Sequence, residues 1–338
     1  MTLHHRAEGP LDAPPLYLGP SLGTSLAVWD KQAPALARHC RVVRWDLPGH
    51  GASPTGLLPT PAAMADLGRL VLDLADSLGH DSFAYAGISL GGAVGTWLAA
   101  HHPSRITSLT LVCSSARFGE PQPWLDRAEL MRTKGAGPLA ATARDRWFTP
   151  AFAASGDLAV DSLPADLRSV DPESYAGCCE VLAGLDLRPD LARITAPTLV
   201  VAGRDDKATP PPHARALADG IRDTHLVELP RAAHLANVEQ PRAVLDALLS
   251  RLGSGPERGG PERGGPDRGG DGMAVRRAVL GDAHVDGAVA RTTALVAGGR
   301  REELAMHVRA ALRNGLTPDE IADVLREHDV NHPRGEDR

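Results

Sequence analysis

Hydrophobic and polar positions divide the first 252 residues into two kinds of segment. Short, mostly apolar runs are typical of strands buried in a sheet, and they occur at residues 16–18, 41–46, 83–87, 106–113, 196–203 and 225–229. Between several of them the apolar residues recur at helical spacing, as at residues 60–79 and 240–252. Strands that alternate with helices predict an α/β fold with a mostly parallel sheet covered on both faces.

The strand pattern stops between residues 116 and 193. Helical patterns take its place at residues 124–134, 139–147 and 175–185, separated by proline and glycine. Open α/β sheets bind ligands at the carboxyl ends of their strands, and an insertion at this point of the chain would cover that edge. We therefore expect a helical cap, at about residues 116–193, over a binding site.

Residues 253–272 have a different composition. They contain three copies of a Gly-Pro-Glu/Asp-Arg-Gly unit and predict a disordered linker, because they offer nothing apolar to bury. Residues 273–338 are helical in pattern, with Thr317 as a cap and Pro318 in the first helical position. The predicted organisation is a domain at residues 1–252, a linker, and a small all-α tail.

Composition narrows the classes of function. The 338 residues are 43% hydrophobic and 23% charged, which is ordinary for a soluble globular protein. A net charge of −6 gives no electrostatic attraction to nucleic acid or to an anionic membrane. No secretory leader or bilayer-spanning run is apparent, and the four cysteines are too sparse for a disulfide framework. We expect a cytoplasmic protein with a small-molecule partner.

One short motif indicates the chemistry. Gly87-x-Ser89-x-Gly91 stands between a predicted strand that runs from residue 83 into Gly87 and a helical pattern that starts at Ala93. This is the spacing of a nucleophile elbow, in which a tight turn presents the serine hydroxyl and small neighbours are needed on both sides. The motif alone is common, but the strand before it and the helix after it favour a serine hydrolase.

A nucleophilic serine needs a histidine base, and the histidine needs a carboxylate that orients it. In this architecture the acid follows the serine and the histidine comes last. Asp205 and Asp206 both follow the strand that ends at Gly203, and we favour Asp206, although both could simply cap the turn. His234, after the last predicted strand, is the candidate base.

The tetrahedral intermediate also needs two backbone N–H groups directed at its oxyanion. The residue after the nucleophile, Leu90, is expected to supply one of them. Leu22, in the loop after the first predicted strand, is expected to supply the other. The hydroxyl of Ser21 is a further candidate for the same pocket.

Several longer motifs resemble those of the 3-oxoadipate enol-lactonases, a group of α/β-hydrolases. The resemblance runs from residue 16 to residue 252. Its motifs are Ser21-Leu22-Gly23-Thr24, Gly49-His50-Gly51-Ala52-Ser53, Gly87-Ile88-Ser89-Leu90-Gly91-Gly92, Arg146-Trp147-Phe148-Thr149-Pro150, Tyr175-Ala176-Gly177-Cys178-Cys179 and His234-Leu235-x-Asn237-Val238-Glu239.

This resemblance implies an α/β-hydrolase fold with a helical cap. It also implies hydrolysis of an enol-lactone in aromatic catabolism by Ser89, His234 and Asp206, without a metal or cofactor. Because such a substrate carries a carboxylate, the cap should offer a cation or hydrogen-bond donors. Arg117 is the first candidate, and Trp124 and Trp147 are candidate walls of the pocket; a surface arginine and core tryptophans are the alternatives.

The tail resembles the 4-carboxymuconolactone decarboxylases, which are oligomers and are also found fused to enol-lactonases. The similarity covers residues 272–277, 281–286 and 307–315. After Thr293 the tail omits the family's middle segment, which argues against decarboxylase activity, and His307 is the candidate for a surviving site residue. The tail could also join copies of the chain into a homo-oligomer.

Three alternatives stay open on the sequence. A general carboxylesterase would use the same triad, and only the cap motifs argue against it. An active tail would make the protein a bifunctional lactonase and decarboxylase. A ligand-binding sensor could retain the hydrolase fold without turnover. A thiol peroxidase is disfavoured because the tail contains no cysteine.

Overall fold

The computed structural model of the chain describes residues 2–252. The predicted linker at residues 253–272 and the predicted helical tail at residues 273–338 lie outside the described residues, and so does His307.

A seven-stranded sheet organises the described part of the chain, in the order β1-β3-β2-β4-β5-β6-β7. The strands are β1 (His5–Glu8), β2 (Pro15–Gly19), β3 (Arg41–Trp45), β4 (Phe83–Ile88), β5 (Ile106–Val112), β6 (Thr198–Gly203) and β7 (Thr224–Leu229). β1 pairs antiparallel with β3, and all other neighbouring strands in this sheet run parallel. The predicted mostly parallel sheet is confirmed.

Helices fill the connections between the strands. They are α1 (Ala33–Leu36), α2 (Met64–Ser77), α3 (Leu90–His101), α4 (Pro121–Lys134), α5 (Gly137–Ala141), α6 (Ala143–Trp147), α7 (Pro150–Ala153), α8 (Ala159–Arg168), α9 (Pro172–Ala183), α10 (Pro211–Gly220), α11 (Ala236–Glu239) and α12 (Pro241–Leu252). Short 3-10 turns lie at Leu26–Trp29, Pro103–Arg105 and Arg188–Arg193. No helix in the described range is both long and apolar enough to cross a lipid bilayer.

The hydrophobic core lies on both faces of the central strands. Every residue of β4 and of β6 is buried, which explains why both segments are continuously apolar rather than alternating. Helix α2 turns Leu67, Val71 and Leu74 toward this core at helical spacing. Its Gly68 admits the ring of Trp97 from α3, because a Cβ at this position would lie 2.2 Å from the ring.

Two local predictions differ from the structure. The edge strand β1 was absent from the prediction because it is only partly buried and carries charged residues, so it has no apolar run. The single helix predicted over residues 139–147 is divided into α5 and α6 at Thr142. The Thr142 hydroxyl donates to the Leu139 carbonyl at 3.3 Å, a local bond that competes with helix continuation.

Helices α4 to α9 lie in the connection between β5 and β6, in the segment predicted to form a cap. Arg132 of α4 joins this helix to α9 through ion pairs with Glu173 and Glu180, at 2.9 and 2.7 Å. The short helices α7 and α8 were not predicted. They lie in a stretch whose apolar residues are interrupted by proline, glycine and aspartate, so its helical periodicity is weak.

Candidate active site

Ser89 occupies a strained turn between β4 and α3. Its φ of 55° and ψ of −118° are unusual for a residue with a side chain. The flanking glycines make the turn possible: a Cβ on Gly87 would lie 2.3 Å from the Gly91 carbonyl carbon. A Cβ on Gly91 would lie 2.5 Å from the backbone of Gly19. The structure therefore gives Ser89 the geometry of a nucleophile elbow.

Asp206 and His234 meet in the loops that follow β6 and β7. The Nδ1 of His234 lies 3.0 Å from Oδ2 of Asp206, and both side chains are buried. Burial alone would raise the pKa of the Asp206 carboxyl, but His234 and the hydrogen bonds donated by Thr209 hold it well below its ordinary value. Asp206 is thus an ionised carboxylate that fixes His234 by its Nδ1 edge.

The neighbouring Asp205 has a different environment. Its side chain is exposed, and its backbone N–H donates to the Ala232 carbonyl at 2.9 Å. By contrast, the Asp206 carboxylate accepts hydrogen bonds from the N–H groups of Ala208 and Thr209 and from the Thr209 hydroxyl. Of the two candidate acids, the structure places Asp206 against the histidine.

Two contacts bring the serine turn and the histidine loop to the same edge of the sheet. The Ser114 hydroxyl, just past β5, donates to the Ser89 carbonyl at 2.8 Å. The preceding Cys113 has its Sγ 3.6 Å from the carbonyl of Ala233, the residue before His234. A hydrogen bond between the Ser89 hydroxyl and His234 is not among the contacts formed within residues 2–252. Such bonds are often completed only when substrate binds.

The two amides predicted for the oxyanion lie on segments that pack together. Leu90 is the first residue of α3, where N–H groups have no acceptor within the helix. The next amide, of Gly91, donates to the Pro20 carbonyl at 3.0 Å, which holds the start of α3 against the turn that contains Leu22. Leu22 and Leu90 are both buried, and so is Ser21, whose carbonyl accepts from Thr24.

The two candidate tryptophans lie in different surroundings. The buried Trp147 accepts a hydrogen bond from the Leu235 amide at its carbonyl, so it lies beside the His234 loop. Its ring also borders the oxyanion turn, because a Cβ on Gly23 would be 3.6 Å from Trp147 Cζ2. Trp124 is half-buried and donates to the Phe118 carbonyl at 2.7 Å.

Arg117, the predicted cation for a substrate carboxylate, pairs with an acid close by in the chain. Its guanidinium lies 3.2 Å from both carboxylate oxygens of Glu120, three residues along the chain, and the side chain of Glu120 is largely exposed. The positive charge is already paired at the surface, so it is poorly placed to bind a substrate carboxylate. The sequence did not reveal that Arg117 pairs with Glu120.

Sequence reasoning named no role for Glu239, a buried carboxylate that joins the histidine loop to the cap. Its Oε1 accepts hydrogen bonds from the amides of Ala233 and Thr149, at 3.0 and 3.1 Å. Its Oε2 accepts from the Thr149 hydroxyl at 2.7 Å. In the sequence it appears only as the last residue of the motif that begins at His234. Glu239 therefore holds Ala233, the residue before His234, against Thr149 at the N-terminus of α7.

We expect Glu239→Ala to lower the free energy of unfolding by about 1–3 kcal/mol, because two buried amides lose their acceptor. It should also lower kcat, since Ala233 no longer holds the His234 loop. Glu239→Gln is the matched control: its amide oxygen can accept from both N–H groups while its NH₂ donates to the Thr149 hydroxyl. Chemical denaturation and steady-state kinetics check both variants. Equal losses in the two would contradict this positioning role.

The same residue gives an expected pH dependence. Burial raises the pKa of Glu239 above its ordinary value of 4.5, although the bonds from Thr149 and Ala233 oppose the shift. A raised pKa means that the folded state favours the protonated form, so this contribution to stability declines as the pH rises through the folded pKa. Glu239→Gln, which does not ionise, should lose that part of the pH dependence in thermal unfolding.

Comparison with known proteins agrees with this geometry. The α/β-hydrolase fold family matches residues 14–146. The 3-oxoadipate enol-lactonase 2 of Acinetobacter baylyi is 39% identical over 254 residues, which cover 74% of this chain and 94% of that protein. The chain belongs to the α/β-hydrolase family. The predicted fold class of residues 2–252 is confirmed.

Two further proteins are similar to this chain over most of its hydrolase domain. The crystal structure of the enol-lactonase from Burkholderia xenovorans superposes with a TM-score of 0.72 at 36% identity, covering 75% of this chain and 96% of that one. A protein assigned as the carbamate hydrolase RutD of Variovorax paradoxus is 33% identical, over 73% of this chain and 96% of that protein.

The tail has its own match. The carboxymuconolactone decarboxylase family matches residues 284–331, within the segment whose motifs resemble it. The hydrolase is therefore followed in the same chain by a decarboxylase-like segment.

Proposed function

We propose that this hydrolase opens 3-oxoadipate enol-lactone to 3-oxoadipate through an acyl-enzyme on Ser89. The observation that carries the proposal is the buried Asp206–His234 pair, with 3.0 Å between Nδ1 and Oδ2, at the sheet edge where Ser89 forms its strained elbow. The choice of substrate is supported by the relatedness to enol-lactonases. Both features are needed, because the triad alone would serve many esters.

Acylation begins when His234 Nε2 removes the proton from the Ser89 hydroxyl. The serine oxygen attacks the lactone carbonyl carbon, and the amides of Leu22 and Leu90 bind the oxygen that becomes negative. Asp206 holds His234 by Nδ1 and stabilises the imidazolium. The ring C–O bond then breaks, the leaving enol oxygen takes the proton from His234, and the enol tautomerises to a ketone.

Deacylation repeats these steps with water as the nucleophile. His234 removes a proton from the water, whose oxygen attacks the acyl carbon. The second tetrahedral intermediate uses the same two amides, and Ser89 leaves with the proton returned by His234. In these reaction steps, every proton and every new bond comes from the chain, the lactone or water.

A second candidate activity is decarboxylation by the tail, favoured by the family match at residues 284–331. Carbon dioxide release from 4-carboxymuconolactone, followed with the full-length chain, tests it. Loss of that release in His307→Ala would place the activity in the tail.

The proposed hydrolysis is tested with the full-length chain and three substrates: 3-oxoadipate enol-lactone, a simple carboxylic ester and a carbamate. We expect repeated turnover of the lactone, with the highest kcat/KM of the three. A preference for the ester or the carbamate would refute the proposed substrate. A single acylation without turnover would instead indicate a ligand sensor.

A further inference from the structure

The cap contains two partly buried arginines whose charges have no acidic partner within residues 2–252. Several other cap arginines form ion pairs, which are Arg117–Glu120, Arg132–Glu173, Arg132–Glu180 and Arg144–Asp161. Arg127 of α4 and Arg146 of α6 form no ion pair within residues 2–252. Partly buried cations usually have an anion beside them, so the exception needs an explanation.

Aromatic rings hold Arg127 in place. The Cζ of its guanidinium lies 5.5 Å from the ring centre of Trp124 and 5.6 Å from that of Tyr175. Tyr175 is fully buried and stacks on His50, with ring centres 6.0 Å apart. The arginine is therefore positioned by α4 and α9 together, without using its hydrogen-bond donors on an acid.

Arg146 shares this positive environment. Burial, together with the nearby charge of Arg127, lowers the pKa of its guanidinium to about 10. Its Nη2 makes a long hydrogen bond of 3.4 Å to the Leu139 carbonyl. Two cations that destabilise each other inside the cap would both be stabilised by one anion between them.

The same place contains donors without acceptors. The Nε atoms of Arg127 and Arg146 and the hydroxyl of Tyr175 are buried and have no hydrogen-bond partner within residues 2–252. Buried polar atoms in native proteins are nearly always paired, so a group of three calls for an acceptor that the chain does not supply. A carboxylate has two acceptor oxygens and matches the planar donor edge of a guanidinium.

This cluster borders the proposed oxyanion site. A Cβ on Gly23, the residue after Leu22, would lie 3.4 Å from Tyr175 Cε2. The aromatic ring thus separates the oxyanion turn from Arg127.

We propose that Arg127, Arg146 and Tyr175 bind the carboxylate of the substrate while its lactone carbonyl occupies the oxyanion site. The inference rests on the proposed lactonase function and adds the residues that would make it specific for a lactone with a carboxylate. The enol-lactone carries its carboxylate on a methylene attached to the ring carbon remote from the carbonyl, so one molecule can reach both sites. In this proposal Arg127 and Arg146 supply the cations for the substrate carboxylate, rather than Arg117.

The test compares two substrates that differ only in the carboxylate: 3-oxoadipate enol-lactone and the same enol-lactone ring with a methyl group in place of the carboxymethyl. The variants are Arg127→Gln, Arg146→Gln and Tyr175→Phe, with Arg144→Gln as the matched control on α6. The readout is the ratio of kcat/KM for the two substrates. Because the ratio is internal to each protein, partial loss of folded enzyme cancels.

We expect the ratio to fall by at least about tenfold in each arginine variant, through KM, and less in Tyr175→Phe. Arg146→Lys should restore part of it, and Arg144→Gln should leave it unchanged. An unchanged ratio in both arginine variants, with the wild type still hydrolysing the lactone, would overturn this inference alone. If the wild type cleaves only the methyl analogue, the proposed function fails and this inference fails with it.

Discussion

Replacing Ser89 by Ala is expected to lower kcat for the enol-lactone by roughly 10⁴- to 10⁶-fold. The hydroxyl is the atom that forms the acyl bond, and no other side chain is proposed to replace it. The fold should survive, because alanine has the same Cβ as serine and can occupy the elbow at the same φ of 55°. Steady-state kinetics with the full-length protein, together with thermal unfolding, measure both parts of the prediction.

A second replacement distinguishes a triad from an isolated nucleophile. His234→Ala should reduce kcat nearly as much as Ser89→Ala, and the double variant should be no slower than the slower single variant. Residues that act as one unit show this non-additivity. If the two losses instead multiply, Ser89 and His234 contribute independently, and the proposed proton transfer between them is wrong.

Asp206→Asn is expected to lower kcat by roughly 10³- to 10⁴-fold. In the wild type, Oδ1 accepts from the Ala208 and Thr209 amides, and Oδ2 faces His234 Nδ1. Asparagine would keep its oxygen on the two amides and turn its NH₂ toward His234. The imidazole would then carry its proton on Nε2, the atom that must accept the proton of Ser89.

The chain provides a control in the adjacent residue. Asp205→Asn makes the same chemical change on an exposed side chain, so kcat should change by less than about twofold. Kinetics of both variants at several pH values check the pair. A larger loss in Asp205→Asn than in Asp206→Asn would show that the orienting acid had been assigned to the wrong residue.

Local sequence was sufficient for the elements with strong periodicity. β4 and β6 were predictable because both faces are buried, which leaves a continuous apolar run. The elbow was predictable because a tight strand-to-helix turn demands glycines at fixed offsets from the serine, and Gly87 closely approaches Gly91 within the five-residue motif. Edge strand β1 was not predictable in this way, because it is only partly buried and has no continuous apolar run.

Chain order narrowed the candidate acid to two adjacent aspartates. Neighbouring residues on a turn point in different directions, and the direction depends on what packs around them. Thr209 and His234 close around Asp206, whereas Asp205 extends into solvent. The partner lies 28 residues away along the chain, beyond the reach of any local pattern.

The sequence by itself determined the alternation of strands and helices, the elbow with Ser89, the order of acid and base, and the family motifs. Tertiary structure decided the rest: the choice of Asp206 over Asp205, and the lack of an acidic partner for Arg127 and Arg146 within residues 2–252. It also decided the role of Glu239, which accepts a hydrogen bond from Thr149, 90 residues away along the chain. The physical reason is that a side chain's charge partner is set by segments distant in the chain, whereas periodicity and glycine spacing are properties of neighbours.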